Sequence, residues 1–118
     1  MSDIIQDFYK GETKSYPLTL KRNGTAINIT NDTVYLTIKN KKSDTDANAV
    51  LQISNSVGEH TTPASGITTI VISSTQTNTL AVEKTYYYDF RLVESGGTVT
   101  TIPGGTFTVK EPITQAVA

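Results

Sequence analysis

Residues 84–109 read KTYYYDFRLVESGGTVTTIPGGTFTV, and the reading of this stretch decides the fold. Tyr86, Tyr88, Phe90 and Leu92 alternate with Tyr87, Asp89, Arg91 and Val93, the period of two expected of a strand whose faces meet different surroundings. Gly96-Gly97 supplies a turn, and Val99 to Ile102 returns as a second strand. Pro103-Gly104-Gly105 predicts a bulge or kink in that strand, because proline brings no ladder donor and glycine packs no side chain. Thr106 to Lys110 then resumes it, with Phe107 and Val109 inward. The hairpin fixes architecture and carries no catalytic or metal-binding pattern.

Working outward, the same alternation recurs along the chain. Ile4 to Lys10 reads as a first extended segment ending at Gly11. Lys14 to Lys21 carries Tyr16, Leu18 and Leu20 on one face, and Asn23-Gly24 suits a tight hairpin turn. Thr25 to Ile29 is short and extended, and Asn31-Asp32 marks a change of direction. In Thr33 to Lys39, Val34, Leu36 and Ile38 face the core while Tyr35, Thr37 and Lys39 face away. Residues 40–48 are polar without periodicity and read as an exposed loop. Val50, Leu51 and Ile53 form a short strand, and Ile67 to Ser73, apolar on both faces, reads as a central one. Ser74 to Leu80 suits one turn of helix that crosses an end of the fold and drops Leu80 into the core.

Seven or eight short strands with frequent turn signals predict an all-β, immunoglobulin-like antiparallel β-sandwich with Greek-key connections and one short helical turn. A small barrel is the alternative. The 118 residues suit a single domain spanning 1–118, with residues 1–3 and 111–118 as termini that are flexible or order on assembly. With no cysteine and no tryptophan, the chain lacks the disulfide and buried indole of antibody domains.

Composition bounds function mainly by exclusion. A net charge of −1 argues against a nucleic-acid partner, which calls for clustered basic residues, and Lys39, Lys41 and Lys42 are offset by Asp44 and Asp46. The first residues offer neither a signal peptide nor a membrane span. Asn23, Asn28 and Asn31 fit the glycosylation pattern, which chance explains in a chain rich in Asn and Thr. His60, the only histidine, sits in a polar loop beside Glu59, and no thiol exists to act as nucleophile, so no enzyme and no small-molecule substrate is expected. Asp44, Asp46 and Asn48 begin like a calcium loop, but Ala49 and Asn55 stand where its turn glycine and bidentate glutamate belong. Neither Gly-Gly pair opens a helix, so neither is a phosphate cradle. No cofactor or metal is expected.

Tyr9, Gly11, Glu12 and Thr13, then Ile29-Thr30, Val34 to Ile38, Gly66-Ile67, Ile70 to Ser73, Tyr86 to Leu92 and Gly105-Thr106-Phe107-Thr108-Val109 together resemble the small immunoglobulin-like modules of tailed bacteriophages. The chain is similar in particular to the N-terminal domain of siphophage upper baseplate proteins, from about Asp7 to Thr114. The resemblance implies a non-enzymatic virion component, made in the host cytoplasm, that binds other virion proteins and copies of itself. Longer baseplate proteins continue into a fibre or receptor-binding region; the sequence here stops at Ala118, so the expectation is a tail, baseplate or fibre-attachment adaptor. A carbohydrate- or host-surface-binding domain and a capsid decoration protein are the alternatives. Ile4, Ile5 and Phe8 are candidates for packing onto a neighbour, against the alternative of an ordinary first strand. Tyr87, expected to face outward near Tyr35 or another exposed ring, is the candidate aromatic anchor, against simple cross-strand packing. Asp89 and Arg91 share a face two residues apart and suit a solvated pair.

Overall fold

The computed structural model describes residues 5–41, 45, 48–111 and 113, which form nine strands and one turn of α-helix. The strands are β1 (Phe8–Tyr9), β2 (Lys14–Thr19), β3 (Lys21–Arg22), β4 (Thr25–Ala26), β5 (Thr33–Lys39), β6 (Leu51–Asn55), β7 (Ile67–Ile72), β8 (Lys84–Val93) and β9 (Val99–Lys110). The helical turn α1 (Ser74–Thr77) joins β7 to β8. The chain is all-β, as the alternation predicts. Nine strands replace seven or eight because the hairpin at Asn23-Gly24 contributes β3 and β4 as a separate two-residue pair.

Five strands form one sheet in the order β1-β9-β8-β5-β6, and β2 pairs with β7. The five-stranded sheet turns Val34, Leu36, Ile38, Tyr86, Tyr88, Phe90, Leu92, Phe107 and Val109 inward, where they meet Tyr16, Leu18, Ile70 and Ile72 from the β2–β7 pair. Hydrophobic burial between these layers is the main favourable term, since no disulfide assists it. Phe107 lies among three rings, with centroids 5.1 Å from Phe8 and 5.8 Å from both Tyr86 and Tyr88. Offset and tilted contacts of this kind add about 0.5–1.5 kcal/mol per pair beyond area burial.

Pairing within the large sheet is antiparallel except at one edge. There β1 runs parallel to β9, with Phe8 opposite Val109 and Tyr9 opposite Lys110. A parallel neighbour cannot come from a tight turn; here nearly the whole chain is the connection. The extended segment read as Ile4 to Lys10 thus contributes only a two-residue strand. Ile4 lies outside the described residues. Beyond Phe8 the edge is finished by a side chain: the Thr108 N–H donates to the Asp7 carboxylate at 2.8 Å.

The turns follow their sequence chemistry. Asn23 (φ 54°) and Gly24 (φ 79°) both occupy the left-handed region, the conformation of a type I′ hairpin. Ser73 and Gln76 form a capping box: the Gln76 N–H donates to Ser73 Oγ at 3.2 Å and the Ser73 N–H to Gln76 Oε1 at 2.9 Å. Thr77 Oγ1 accepts from the Gly11 N–H and donates to the Glu12 carbonyl, which ties α1 to the β1–β2 turn. Leu80 is fully buried, as predicted. β7, by contrast, is not central. It pairs only with β2, and Val71 on its outer side is 45% exposed. Its approach to β6 runs through a side chain, the Asn55 amide donating to Thr68 Oγ1 and to the Thr69 carbonyl.

The predicted irregularity in β9 is a bulge. Tyr88 faces Gly105 and Phe90 faces Ile102, so Pro103 and Gly104 together oppose Asp89. Gly104 is required there by packing: a Cβ would lie 2.2 Å from the Tyr88 carbonyl oxygen and 2.6 Å from its ring.

Candidate functional site

The outer face of the five-stranded sheet carries the residues that chemistry would single out. Because strand side chains alternate, β5 shows Tyr35, Thr37 and Lys39 there, and β8 shows Thr85, Tyr87, Asp89 and Arg91. β9 adds Thr101, Thr106 and Thr108, fixed by their register opposite Arg91, Tyr87 and Thr85. Arg91 donates across the ladder to Thr101 Oγ1 at 3.3 Å, and Thr85 and Thr108 bring their hydroxyls within 3.2 Å. The face is polar and hydroxyl-rich, with two half-buried tyrosines.

Those tyrosines are not neighbours. Tyr87 stands opposite Lys39 and Tyr35 opposite Arg91, with the Thr37–Asp89 pair between them. Four residues of offset in an antiparallel strand amount to about 14 Å. The expectation that Tyr87 faces outward holds in the register, but its proximity to Tyr35 does not. Each ring is an isolated feature of the face.

Beside Tyr87 the face is indented. Thr37, Lys39, Tyr87 and Asp89 line an open groove of about 370 Å³ whose far side is the Pro103–Gly105 bulge. Pro103, Gly104 and Gly105 put no long side chain on that side of the groove. Sequence reading found the bulge and named Tyr87 and Asp89, but Lys39 and Thr37 join them only through the β5–β8 register. A Pro-Gly-Gly inside a strand was the available signal for the groove.

Ile5 and Phe8 occupy different ground. Ile5 is fully buried and Phe8 is 2% exposed, both within the core cluster. The Ile5 N–H donates to the Tyr88 hydroxyl at 2.8 Å, and that hydroxyl donates back to the Ile5 carbonyl at 3.3 Å. These two residues pack onto their own molecule, the ordinary-strand alternative, and offer no surface to a neighbour. The exposed aromatic of this segment is Tyr9, at 48%.

His60 is structural. Its Nε2 lies 2.8 Å from the Asp32 carbonyl oxygen, which can only accept, so Nε2 carries the proton. Nδ1 then accepts from Thr68 Oγ1 at 3.0 Å. Asp32, buried, also accepts the Ser95 N–H at 2.9 Å, so one histidine and one aspartate join the β4–β5, β6–β7 and β8–β9 connections. At the same end Arg22 and Glu94 form an ion pair at 2.7 Å, and the guanidinium is held further above its ordinary pKa by that hydrogen bond and charge.

No family model and no curated protein sequence matches this chain. Among the described residues no three His, Cys, Asp or Glu side chains gather in a way that would hold a metal ion, and no helix is long and apolar enough to cross a membrane. Asp44 and Asp46, the start of the rejected calcium pattern, lie outside the described residues.

Proposed function

We propose that the chain is an immunoglobulin-like β-sandwich module that acts by binding, a non-enzymatic adaptor in the tail, baseplate or fibre attachment of a tailed-phage virion. The fold half of this reading is supported by strand order. β9-β8-β5-β6 corresponds to the G-F-C-C′ sheet of a variable-type domain and β2–β7 to the B–E pair. It is supported also by Tyr86 near the start of β8, whose hydroxyl accepts the Ala81 N–H at 2.8 Å. A tyrosine bonded back to the backbone a few residues upstream, at this corner, is the tyrosine-corner device of such sandwiches.

The virion half rests on the sequence resemblance. The two segments that carry the resemblance most specifically, Tyr86 to Phe90 and Gly105 to Val109, are register partners on adjacent strands: Tyr86 faces Phe107, Tyr87 faces Thr106 and Tyr88 faces Gly105. They form a single structural unit in which one strand is shaped to the other. The polar outer face with its isolated tyrosines is the surface through which partners and further copies dock.

Mass spectrometry of purified particles and light scattering of the chain mixed with the other virion proteins test this reading. The chain is expected in particles at fixed stoichiometry and in complexes weakened tenfold or more by Tyr35→Glu. Absence from particles together with a strict monomer in every mixture would sink it.

A further inference from the structure

We infer that the outer edge of β6 is a self-pairing surface, through which two copies of this chain join their large sheets about a two-fold axis at Ile53. It rests on main-chain direction and strand composition and stands apart from the virion assignment. β6 ends the five-stranded sheet, with β5 as its ladder partner. The Ile38 carbonyl accepts the Val50 N–H at 2.8 Å, so the main-chain groups of Ile38 point at β6, and by alternation so do those of Leu36 and Val34. Their register partners Leu51, Ile53 and Asn55 point back at β5. The N–H and C=O of Gln52 and of Ser54 are therefore directed away from the sheet, and among the described residues nothing bonds to them.

Other edges carry devices that obstruct such a contact. The Asp7 carboxylate takes the Thr108 N–H beside β1, and Pro17 leaves β2 a donor short. On β7 the Asn55 amide takes the Thr69 carbonyl and Thr62 bridges to Ile67. β6 reads Leu-Gln-Ile-Ser-Asn, with neither proline nor charge. That composition and register select a second copy as the occupant. A two-fold axis at Ile53 sets Gln52 opposite Ser54 of the second copy, so the outward-pointing residues of one strand exchange main-chain bonds with those of the other. Ile53 then faces its own counterpart in the closer, non-hydrogen-bonded position. Leu51 and Ile53 are half-buried, packed against the core from the edge, and pairing completes a burial that the single chain leaves partial. The axis brings no like charges together, and a charged foreign strand would gain no ion pair from β6. A contact this short makes a weak dimer, populated near millimolar concentration and dissociated at micromolar, of a kind that repeated copies in an assembly reinforce.

The test uses the full chain from micromolar to near-millimolar concentration, followed by NMR diffusion and ¹H–¹⁵N shifts, with isotope-filtered NOEs in a mixture of labelled and unlabelled copies. Diffusion is expected to slow with concentration and amide shifts to centre on Gln52, Ile53 and Ser54, with a filtered NOE between the Ile53 α-protons of the two copies. Ser54→Pro removes an outward N–H, leaves the β5 ladder intact and should weaken association tenfold or more. The register supplies a second test should that proline disturb folding. Gln52→Lys combined with Ser54→Lys sets like charges opposite each other and should weaken association tenfold or more. Gln52→Lys combined with Ser54→Glu sets opposite charges there and should restore association to the parent level or beyond. Diffusion independent of concentration overturns the inference. So do shifts that centre on Tyr35, Tyr87 or β2, association that survives Ser54→Pro in a folded chain, equal behaviour of the two charge variants, or an extended peptide that pairs with β6 while the chain stays monomeric. Incorporation into particles is read separately, so a failure here leaves the adaptor reading intact.

Discussion

At the scale of single residues, three tyrosines show how one side chain type is used in two ways. Tyr86 and Tyr88 are buried, but each hydroxyl reaches a main-chain group, Ala81 in one case and Ile5 in the other. Tyr16 is 8% exposed and its hydroxyl has no hydrogen-bond partner among the described residues. Burial first, then the neighbouring Tyr88 and Glu12, push its phenol up to about 12 from the usual 10.0. An unsatisfied buried hydroxyl costs about 1–3 kcal/mol, so Tyr16→Phe should stabilise the protein at neutral pH by about 1 kcal/mol. The pH dependence has a definite sign. Because the folded-state value lies above the unfolded one, the contribution of Tyr16 is complete below pH 10 and disappears as the pH rises towards 12. Urea titrations at pH 7, 10 and 11.5 should show a smaller alkaline loss in Tyr16→Phe than in the parent chain. A parent-like loss, or destabilisation at pH 7, would mean that the hydroxyl has a partner after all.

At the scale of elements, the strands whose alternation is clean could be read directly. β5, β8 and β9 bury the residues the period assigned to the core, and the Pro-Gly-Gly bulge and the buried Leu80 follow from local chemistry alone. What local pattern does not carry is register between distant segments. The parallel β1–β9 pairing, the burial of Ile5 and Phe8, the separation of Tyr35 from Tyr87 and the approach of Lys39 to the groove all depend on which residue stands opposite which. The bonds of His60 likewise reach residues 8 and 28 positions away. Edges are a further property of elements. The Leu20 N–H donates to Gly66 across the β2–β7 pair, so by alternation the nitrogen of Pro17 points away from β7, toward the outer edge. A proline there removes the donor an approaching strand would use. Pro17→Thr should therefore raise concentration-dependent self-association in sedimentation velocity. The same change should cost about 0.4–1 kcal/mol of stability through the freer unfolded chain. Sedimentation that stays independent of concentration would show that the edge is guarded by something other than Pro17.

At the scale of the whole molecule, the segment around β1 and the last two strands complete each other. Ile5 is bonded to Tyr88, 83 residues on, and the Asp7 carboxylate caps Thr108, 101 residues on. Phe8 stacks on Phe107 beside the parallel β1–β9 pair. Contacts of such long sequence separation place the fold among slow-folding β topologies, with relaxation on the order of milliseconds to seconds. They also make Ile5 and Phe8 part of the core. Removing residues 1–9 deletes the buried Ile5 and Phe8 side chains, for which truncation to alanine typically costs about 2–5 and 3–5 kcal/mol. It also removes the Asp7 carboxylate from the Thr108 N–H, the register partners Phe8 and Tyr9 from Val109 and Lys110, and the Ile5 main chain from the Tyr88 hydroxyl. Against a total stability of about 5–15 kcal/mol for a domain, that loss should leave the shortened chain largely unfolded at 25 °C. Amide dispersion and urea denaturation of the truncated and full chains measure it directly. If the shortened chain instead kept the parent midpoint and gained self-association, the N-terminal segment would be an assembly arm exchanged between copies, and its burial within one molecule would be the lesser part of its role.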